Sequence, residues 1–410
     1  MKKKKLAVIG TVGVPAKYGG FETLAHHLVL HLNQEYDMLV YASKKEYEES
    51  ERLTQWNGAR IQYVPLKANG FQSIFYDAYS IIHALIYCDV LLVLGVSGCF
   101  LLPFIQLFSK KKIIVNIDGL EWRRPKWNRF AKAFLRFSES LACRFADEIV
   151  TDNQMLKEYV KIQYGIKSKL IEYGADHCKP VAIQENDLER YAFLAQDYAF
   201  KVARIEPENH IQMILEAFAY EEAEQIVMVG NWNNSAYGRD LKQHYQHFPN
   251  IHLFDPIYDP RELNLLRSNA HYYIHGHSAG GTNPSLVEAM YLGLPILSFD
   301  VIYNRATTNN QAIYFNNVEE LRTLLQQVNR LPLKAVSENL QDFAFKKYLW
   351  KDIAQRYSQL AEGKAYQRIL LPQLVPVRMH LSKAPKQLNA AVSINNNSSS
   401  TISEPIIASN

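Results

Sequence analysis

Residues 271–295 constrain this chain more than any other stretch. His271–His275 (HYYIH) reads as a short buried strand. Gly280 and Gly281 then let the backbone turn tightly and come close to a ligand. Asn283 suits a helix N-cap and Pro284 the first turn. A helix is therefore predicted over Ser285–Leu292, ended by Gly293 and Pro295. A helix opening behind a Gly-Gly turn presents free N–H groups and a positive dipole end, which suits a phosphate or diphosphate. Glu288, one turn inside, could accept hydrogen bonds from ribose hydroxyls. The alternative is an ordinary loop–helix junction of an α/β protein.

The same strand–helix rhythm runs through most of the chain. Leu6–Ile9, Met38–Tyr41, Ile61–Val64, Val90–Leu94, Ile113–Asn116 and Glu148–Thr151 are strand candidates, with Lys169–Tyr173 a last one. A second series comprises Tyr198–Val202, Gln225–Val229, Ile251–Phe254, His271–His275 and Pro295–Ser298. Helices are predicted near Phe21–Asn33, Phe130–Phe145, His210–Tyr220, Pro260–Ser268 and Val318–Val328. Such alternation argues α/β architecture with two doubly wound parallel sheets. A chain of 410 residues exceeds one compact core. The expected division is 1–175, a polar connection at 176–197, a second domain at 198–345, a closing helix at 346–363 and a tail at 364–410. Ser, Asn and Ala dominate from about 381, where disorder is expected. Ligands of facing α/β sheets bind in the cleft between strand carboxyl ends.

Composition narrows the function classes. Hydrophobic content of 48% and charged content of 21% are ordinary for a globular protein. A net charge of +4 is too weak to imply nucleic acid. Cys88, Cys99, Cys143 and Cys178 are scattered and fit reduced cytoplasmic thiols. The apolar run after Lys2–Lys5 is too short for a signal peptide. Val90–Phe108 approaches bilayer-spanning length, but Gly95, Ser97, Gly98, Pro103 and Gln106 interrupt it. A buried strand followed by a helix from Phe100 to Phe108 is the preferred reading.

Three segments together give a family likeness. His277–Met290 with Gly293-Leu294-Pro295 resembles the nucleotide-sugar signature of glycosyltransferase family 4, a GT-B family. Val202–Glu208 (VARIEPE) resembles that family's strand ending in an Arg, and Gly10–Glu22 (GTVGVPAKYGGFE) its first strand and Gly-Gly loop. The wording AKYGGFETLAHHLV, ARIEPEN and GGTNPSLVEAM is most similar to the bacterial rhamnosyltransferase branch. The resemblance covers about residues 1–363. It implies two facing Rossmann-like domains with a C-terminal crossover helix. It also implies retaining transfer of a deoxyhexose, L-rhamnose from dTDP-L-rhamnose, to a lipid-linked sugar of capsule or O-antigen assembly at the cytoplasmic membrane face.

The resemblance assigns donor contacts to Gly19, Gly20, Glu22, Gly280, Gly281, Thr282, Asn283, Ser285 and Glu288, and catalysis to Arg204, Asp118 and Glu121. Arg204 offers a fixed charge and a planar fork to a leaving diphosphate. The family's Lys five residues later is Asn209 here, and Arg305 or another cation could substitute. The first of the family's paired glutamates, eight residues before Glu288, is Gly280. Glu22 either contacts a ligand or is a helix-start carboxylate. Asp118 and Glu121 either orient the acceptor hydroxyl or pair with Arg123 and Arg124.

The retention that the resemblance implies is expected to proceed by front-face attack, with the proton passing to the departing phosphate. Positioning and electrostatics then carry the rate, and no cofactor or metal is expected. Trp127–Ala142 places Phe130, Phe134, Phe137 and Leu141 at helical spacing among Arg129, Lys132 and Arg136. That helix either lies on an anionic membrane as a peripheral contact or faces the core with a solvated basic side. A catalytically weak nucleotide-sugar-binding subunit and a nucleotide-sugar epimerase are the alternatives.

Overall fold

A computed structural model describes residues 3–17, 19–117, 119–124 and 127–364. The tail expected to be disordered from about 381 lies outside them, as does Asp118. Eight strands form the first sheet: β1 Lys5–Ile9, β2 Asp37–Ser43, β3 Gln55–Trp56, β4 Ala59–Val64, β5 Val90–Leu94, β6 Lys112–Ile117, β7 Glu148–Thr151 and β8 Lys169–Leu170. Their order is β3-β4-β2-β1-β5-β6-β7-β8. Six strands form the second: β9 Ala199–Val202, β10 Ile226–Val229, β11 Ile251–Phe254, β12 Tyr272–His275, β13 Ile296–Phe299 and β14 Ile313–Phe315. Their order is β11-β10-β9-β12-β13-β14. Pairing is parallel throughout, apart from the antiparallel β3–β4 hairpin.

Continuous apolar runs such as Val90–Leu94 are buried along their whole length because helices cover both faces of the sheet. One core cluster joins the helix Gly20–Leu32 to the closing helix Trp350–Glu362 and to residues of the second sheet. A second cluster lies on the opposite face of the first sheet, under the helices Ser73–Tyr87, Leu102–Phe108 and Arg129–Phe145. A third fills the far side of the second sheet.

The closing helix returns to the first sheet. Asn116 Nδ2 donates to Tyr357 Oη at 2.7 Å, and Lys4 pairs with Glu362 at 2.9 Å. Within 176–197 the chain forms a helix, Glu185–Arg190, and buries Tyr191, Phe193 and Leu194 against the core. Val90–Phe108 divides into β5 and the helix Leu102–Phe108. No described helix is long and apolar enough to cross a membrane.

Candidate active site

In each sheet the strand order reverses once. The reversal falls between β1 and β5 in the first and between β9 and β12 in the second. Loops beyond such a point diverge and leave a crevice at the strand carboxyl ends. A cavity of about 740 Å³ occupies this position, lined by Gly10 and Gly95 from one sheet and by Arg204 and His277 from the other.

The glycine loops form its walls. A Cβ built on Gly20 would lie 3.2 Å from Tyr173 Oη and 3.5 Å from Pro284 Cγ, so the first Gly-Gly loop rests on the start of the helix Pro284–Tyr291. A Cβ on Gly119 would lie 2.8 Å from the Gly280 Cα. Thr282 Oγ1 donates to the Asp152 carbonyl at 2.5 Å, and Asn153 Nδ2 reaches Thr307 Oγ1 at 3.2 Å. Gly19, Gly20, Gly280, Gly281, Thr282, Asn283, Ser285 and Glu288 thus border one cavity. Asn283 holds the N-cap position, but its side chain does not cap. It turns instead to His275 Nε2 at 3.4 Å. Pro284 has no N–H, and the Leu286 N–H donates to the Asn283 carbonyl at 3.1 Å. The amide that the cap side chain leaves open is therefore that of Ser285, which favours an anionic ligand there.

The charges are disposed unequally. Arg204 follows β9, is exposed and faces the cavity. Asn209 is buried, and its Nδ2 donates to the Arg204 carbonyl at 2.7 Å. It fastens the loop that carries Arg204. Arg305, considered from sequence as a substitute cation, is engaged elsewhere: it forks onto Asp300 at 2.5 and 2.6 Å and lies over Tyr314.

A different guanidinium reaches the site. Arg267, buried at the end of the helix Pro260–Ser268, pairs with Glu288. It also contacts Cys178 Sγ at 3.1 Å and Asn264 Oδ1 at 2.9 Å. His177 Nε2 lies 3.4 Å from the other Glu288 oxygen. Burial alone would raise the Glu288 pKa, but Arg267 and His177 hold it well below the ordinary carboxylate range. Burial likewise opposes the His177 charge, while bonds to Cys178 and Glu288 raise its pKa to about 10. His177, Cys178 and Glu288 bring metal-ligand atoms within 4.8 Å of one another. Arg267 places its own positive charge on two of the three, which opposes a cation there.

Neither Arg267 nor His177 was marked by the sequence. An Arg in a last helical turn reads as a partner for the dipole, and His177 stood in a polar connection without periodicity.

Two candidate carboxylates are occupied. Glu22 is buried and accepts from the Val12 N–H at 2.8 Å and the Thr11 hydroxyl at 3.3 Å. Burial raises its pKa against those bonds. Glu121 accepts from Trp127 Nε1 at 3.0 Å and pairs with Arg124 at 2.8 Å. Both also line the cavity.

Behind the loop 276–281 lies a buried polar group. Lys201 Nζ, His275 Nδ1 and His277 Nδ1 have no hydrogen-bond partner among the described residues. Burial lowers the Lys201 pKa to about 7 and both histidines well below the usual range.

Comparison with known proteins follows this division. Residues 3–176 match a domain of unknown function (DUF1972), and residues 184–347 match Glycosyl transferases group 1. No curated protein matches the chain. Sucrose-phosphate synthase from Thermosynechococcus elongatus superposes with a TM-score of 0.75 at 15% identity, over 88% of this chain and 99% of that one. Anabaena HepE, solved with UDP-glucose, gives 0.65 at 14%, over 88% and 99%. The catalytic domain of starch synthase IV from Arabidopsis thaliana, bound to ADP and acarbose, gives 0.63 at 11%, also over 88% and 99%. At these identities the likeness is one of fold. The chain thus has the GT-B fold, and its residues 184–347 form a glycosyltransferase group 1 domain.

Proposed function

We propose that this chain is a retaining glycosyltransferase that moves a deoxyhexose, L-rhamnose from dTDP-L-rhamnose, onto a lipid-linked sugar in surface-polysaccharide assembly. One observation carries the proposal. Arg204 and the helix opening at Asn283–Ser285 line the same cavity, so two electropositive groups converge where a diphosphate would depart. In the proposed reaction the acceptor hydroxyl attacks the anomeric carbon on the face that the diphosphate leaves. The C–O bond to phosphate breaks, and the hydroxyl proton passes to the departing phosphate oxygen. Glu288, held ionised by Arg267, is assigned the ribose hydroxyls. Asp118 and Glu121 are assigned to orienting the acceptor, with Glu121 acting from its bond to Trp127.

Gly280 supports the deoxyhexose. A side chain built there meets nothing within 4 Å. The sugar end of the site consequently offers room and lacks one carboxylate acceptor, which suits a donor with fewer hydroxyls. A neighbour of the same fold holding UDP-glucose supports a nucleotide-sugar donor. The reading gives a metal no role, so chelation with EDTA should leave the rate unchanged.

The test is a panel of labelled UDP-, GDP- and dTDP-sugars with a lipid-linked acceptor. The expected product is a rhamnoside of retained anomeric configuration. Folded protein that yields no glycoside from any donor defeats the proposal. A second reading, a binding subunit with little turnover, draws on Asn209, whose amide is spent on the backbone and not offered to a phosphate. Donor binding without product would favour it.

A further inference from the structure

We propose that the outer faces of the helices Ser73–Tyr87 and Leu102–Phe108, joined by the helix Arg129–Phe145, form a surface that docks on an anionic lipid bilayer beside the mouth of the cleft. The sequence marks the third alone as a helix lying on a membrane surface. The first two carry most of the exposed apolar surface.

The helix Ser73–Tyr87 (SIFYDAYSIIHALIY) has one charged residue, Asp77, and that residue is buried. Its outward stripe is Phe75, Tyr79, Ile82 and Ile86, all exposed, with Ile86 at 70%. Spacings of four, three and four residues keep these on one side of a 3.6-residue period. The helix Leu102–Phe108 (LPFIQLF) has no charge, and it exposes Phe104, Leu107 and Phe108, the last at 87%. Phe130 and Phe137 are exposed on the helix Arg129–Phe145, Phe130 at 88%. A solvated helix ordinarily carries its polar residues outward. Here the exposed positions of two helices are apolar but for Gln106.

The three helices share one side of the first sheet. Their inward residues Ile81, Leu102, Ile105, Leu135 and Ala142 belong to a single core cluster with Leu91 and Val93. Their outer faces therefore point away from the sheet together. Exposed apolar residues gathered on one side of a sheet mark interaction surfaces.

The basic residues decide for lipid over protein. Lys110, Arg129, Arg136 and Arg144 are exposed on the third helix or just past the end of the second. Exposed aromatic and aliphatic residues with exposed basic ones on the same helices match acyl chains below anionic headgroups. Tyr79 and Tyr87 are amphipathic rings suited to the interface. With no described helix able to span a bilayer, the contact is one of lying on the surface.

The position of the patch links it to the cleft. Asn69, Gly70 and Ser73, at the start of the helix Ser73–Tyr87, line the cavity, as does Trp127 just before Arg129. A lipid-linked acceptor lying in the bilayer would meet the cavity at these residues. This last step rests on the proposed acceptor, whereas the docking itself does not.

The test uses the full chain with vesicles of phosphatidylcholine alone or mixed with phosphatidylglycerol. Binding to the mixed vesicles, weakened by salt, is expected. The paired changes Ile82→Glu with Ile86→Glu, and separately Phe104→Ser with Leu107→Ser, should each weaken it about tenfold or more. These side chains point outward, so the melting temperature should hold, and a variant that melts normally reports on docking alone. Wild-type binding no stronger than that of a normally melting variant would overturn the proposal. So would concentration-dependent self-association that the same changes abolish, which would assign the face to a second copy. Vesicle binding needs neither donor nor acceptor, so docking without sugar transfer would sink only the proposed reaction. With transfer established, the changes should slow reaction with a lipid-linked acceptor in vesicles and spare a short-chain soluble one. Equal slowing of both would overturn the portal.

Discussion

Gly281 rests against Asp152 so closely that a Cβ on the glycine would fall 1.9 Å from the carboxylate Oδ1. The two residues come from loops of different sheets. Gly280, next in the chain, has a φ of 109° and open space where a Cβ would go. Alanine at the two positions should therefore fail differently. Gly280→Ala carries backbone strain alone and should cost about 1 kcal/mol. Gly281→Ala displaces the buried Asp152 carboxylate and should cost about 1–3 kcal/mol, with a larger loss of kcat/KM. Denaturant unfolding and steady-state kinetics on both variants check this. Equal effects at the two sites would contradict the contact.

Arg267 and Glu288 make a buried pair, and removing one partner strands the other charge. Arg267→Leu should destabilise the protein by about 3–5 kcal/mol. The double change Arg267→Leu with Glu288→Leu should recover much of that stability and none of the nucleotide affinity. A double-mutant cycle in urea, with donor binding by calorimetry, separates the two roles. Full recovery of binding would remove Glu288 from the donor site.

Arg204 is exposed, and its guanidinium has no ion pair among the described residues. Its substitution by Ala should leave stability within about 0.5 kcal/mol. Turnover should fall on the order of a hundredfold, the usual cost of losing one preorganised charge at a leaving group. Unchanged turnover would take Arg204 out of the proposed reaction.

Lys201 gives a pH signature. Its pKa falls from 10.5 to about 7 on folding because the ammonium is buried. Above pH 7 the folded chain releases a proton that the unfolded chain keeps until pH 10.5. The energetic cost of this lysine is thus fully present below pH 7 and fades as pH rises towards 10.5. Lys201→Met should stabilise the protein by on the order of a few kcal/mol at pH 6 and progressively less at higher pH. Urea midpoints at pH 6 and pH 9 decide it. A variant less stable at pH 6 would mean that the ammonium has an internal counter-charge.

The strands of both sheets were legible because fully buried parallel strands read as short apolar runs. Val90–Leu94 and Ile251–Phe254 fall where the sequence places them. The β3–β4 hairpin was overlooked, although Asn57 and Gly58 both have positive φ and join strands in the way such a pair does. β14 is three residues long, too short for a period to show.

The glycine loops of the site were legible as contiguous motifs with special backbone needs. Arg267 beside Glu288 and Asp152 beside Gly281 were not, since partners from separate elements leave no local pattern. Spacing also could not tell which side of a helix meets the sheet. In the helix Arg129–Phe145, Phe130 and Phe137 are exposed while Leu135 is buried. Phe134, between them on the predicted stripe, packs at the edge of the core.

The chain passes between its two sheets twice, and the passages touch. Ala175 N donates to the Tyr348 carbonyl at 2.8 Å, and Gly174 lies flat against the Trp350 ring. Two straps fastened side by side behave like a door pin. Such a pair should resist sliding of one sheet past the other more than rotation about the line through it. Substrate entry should therefore come from swinging the cleft ajar, with the swing smallest near Ala175 and greatest at the rim farthest from it.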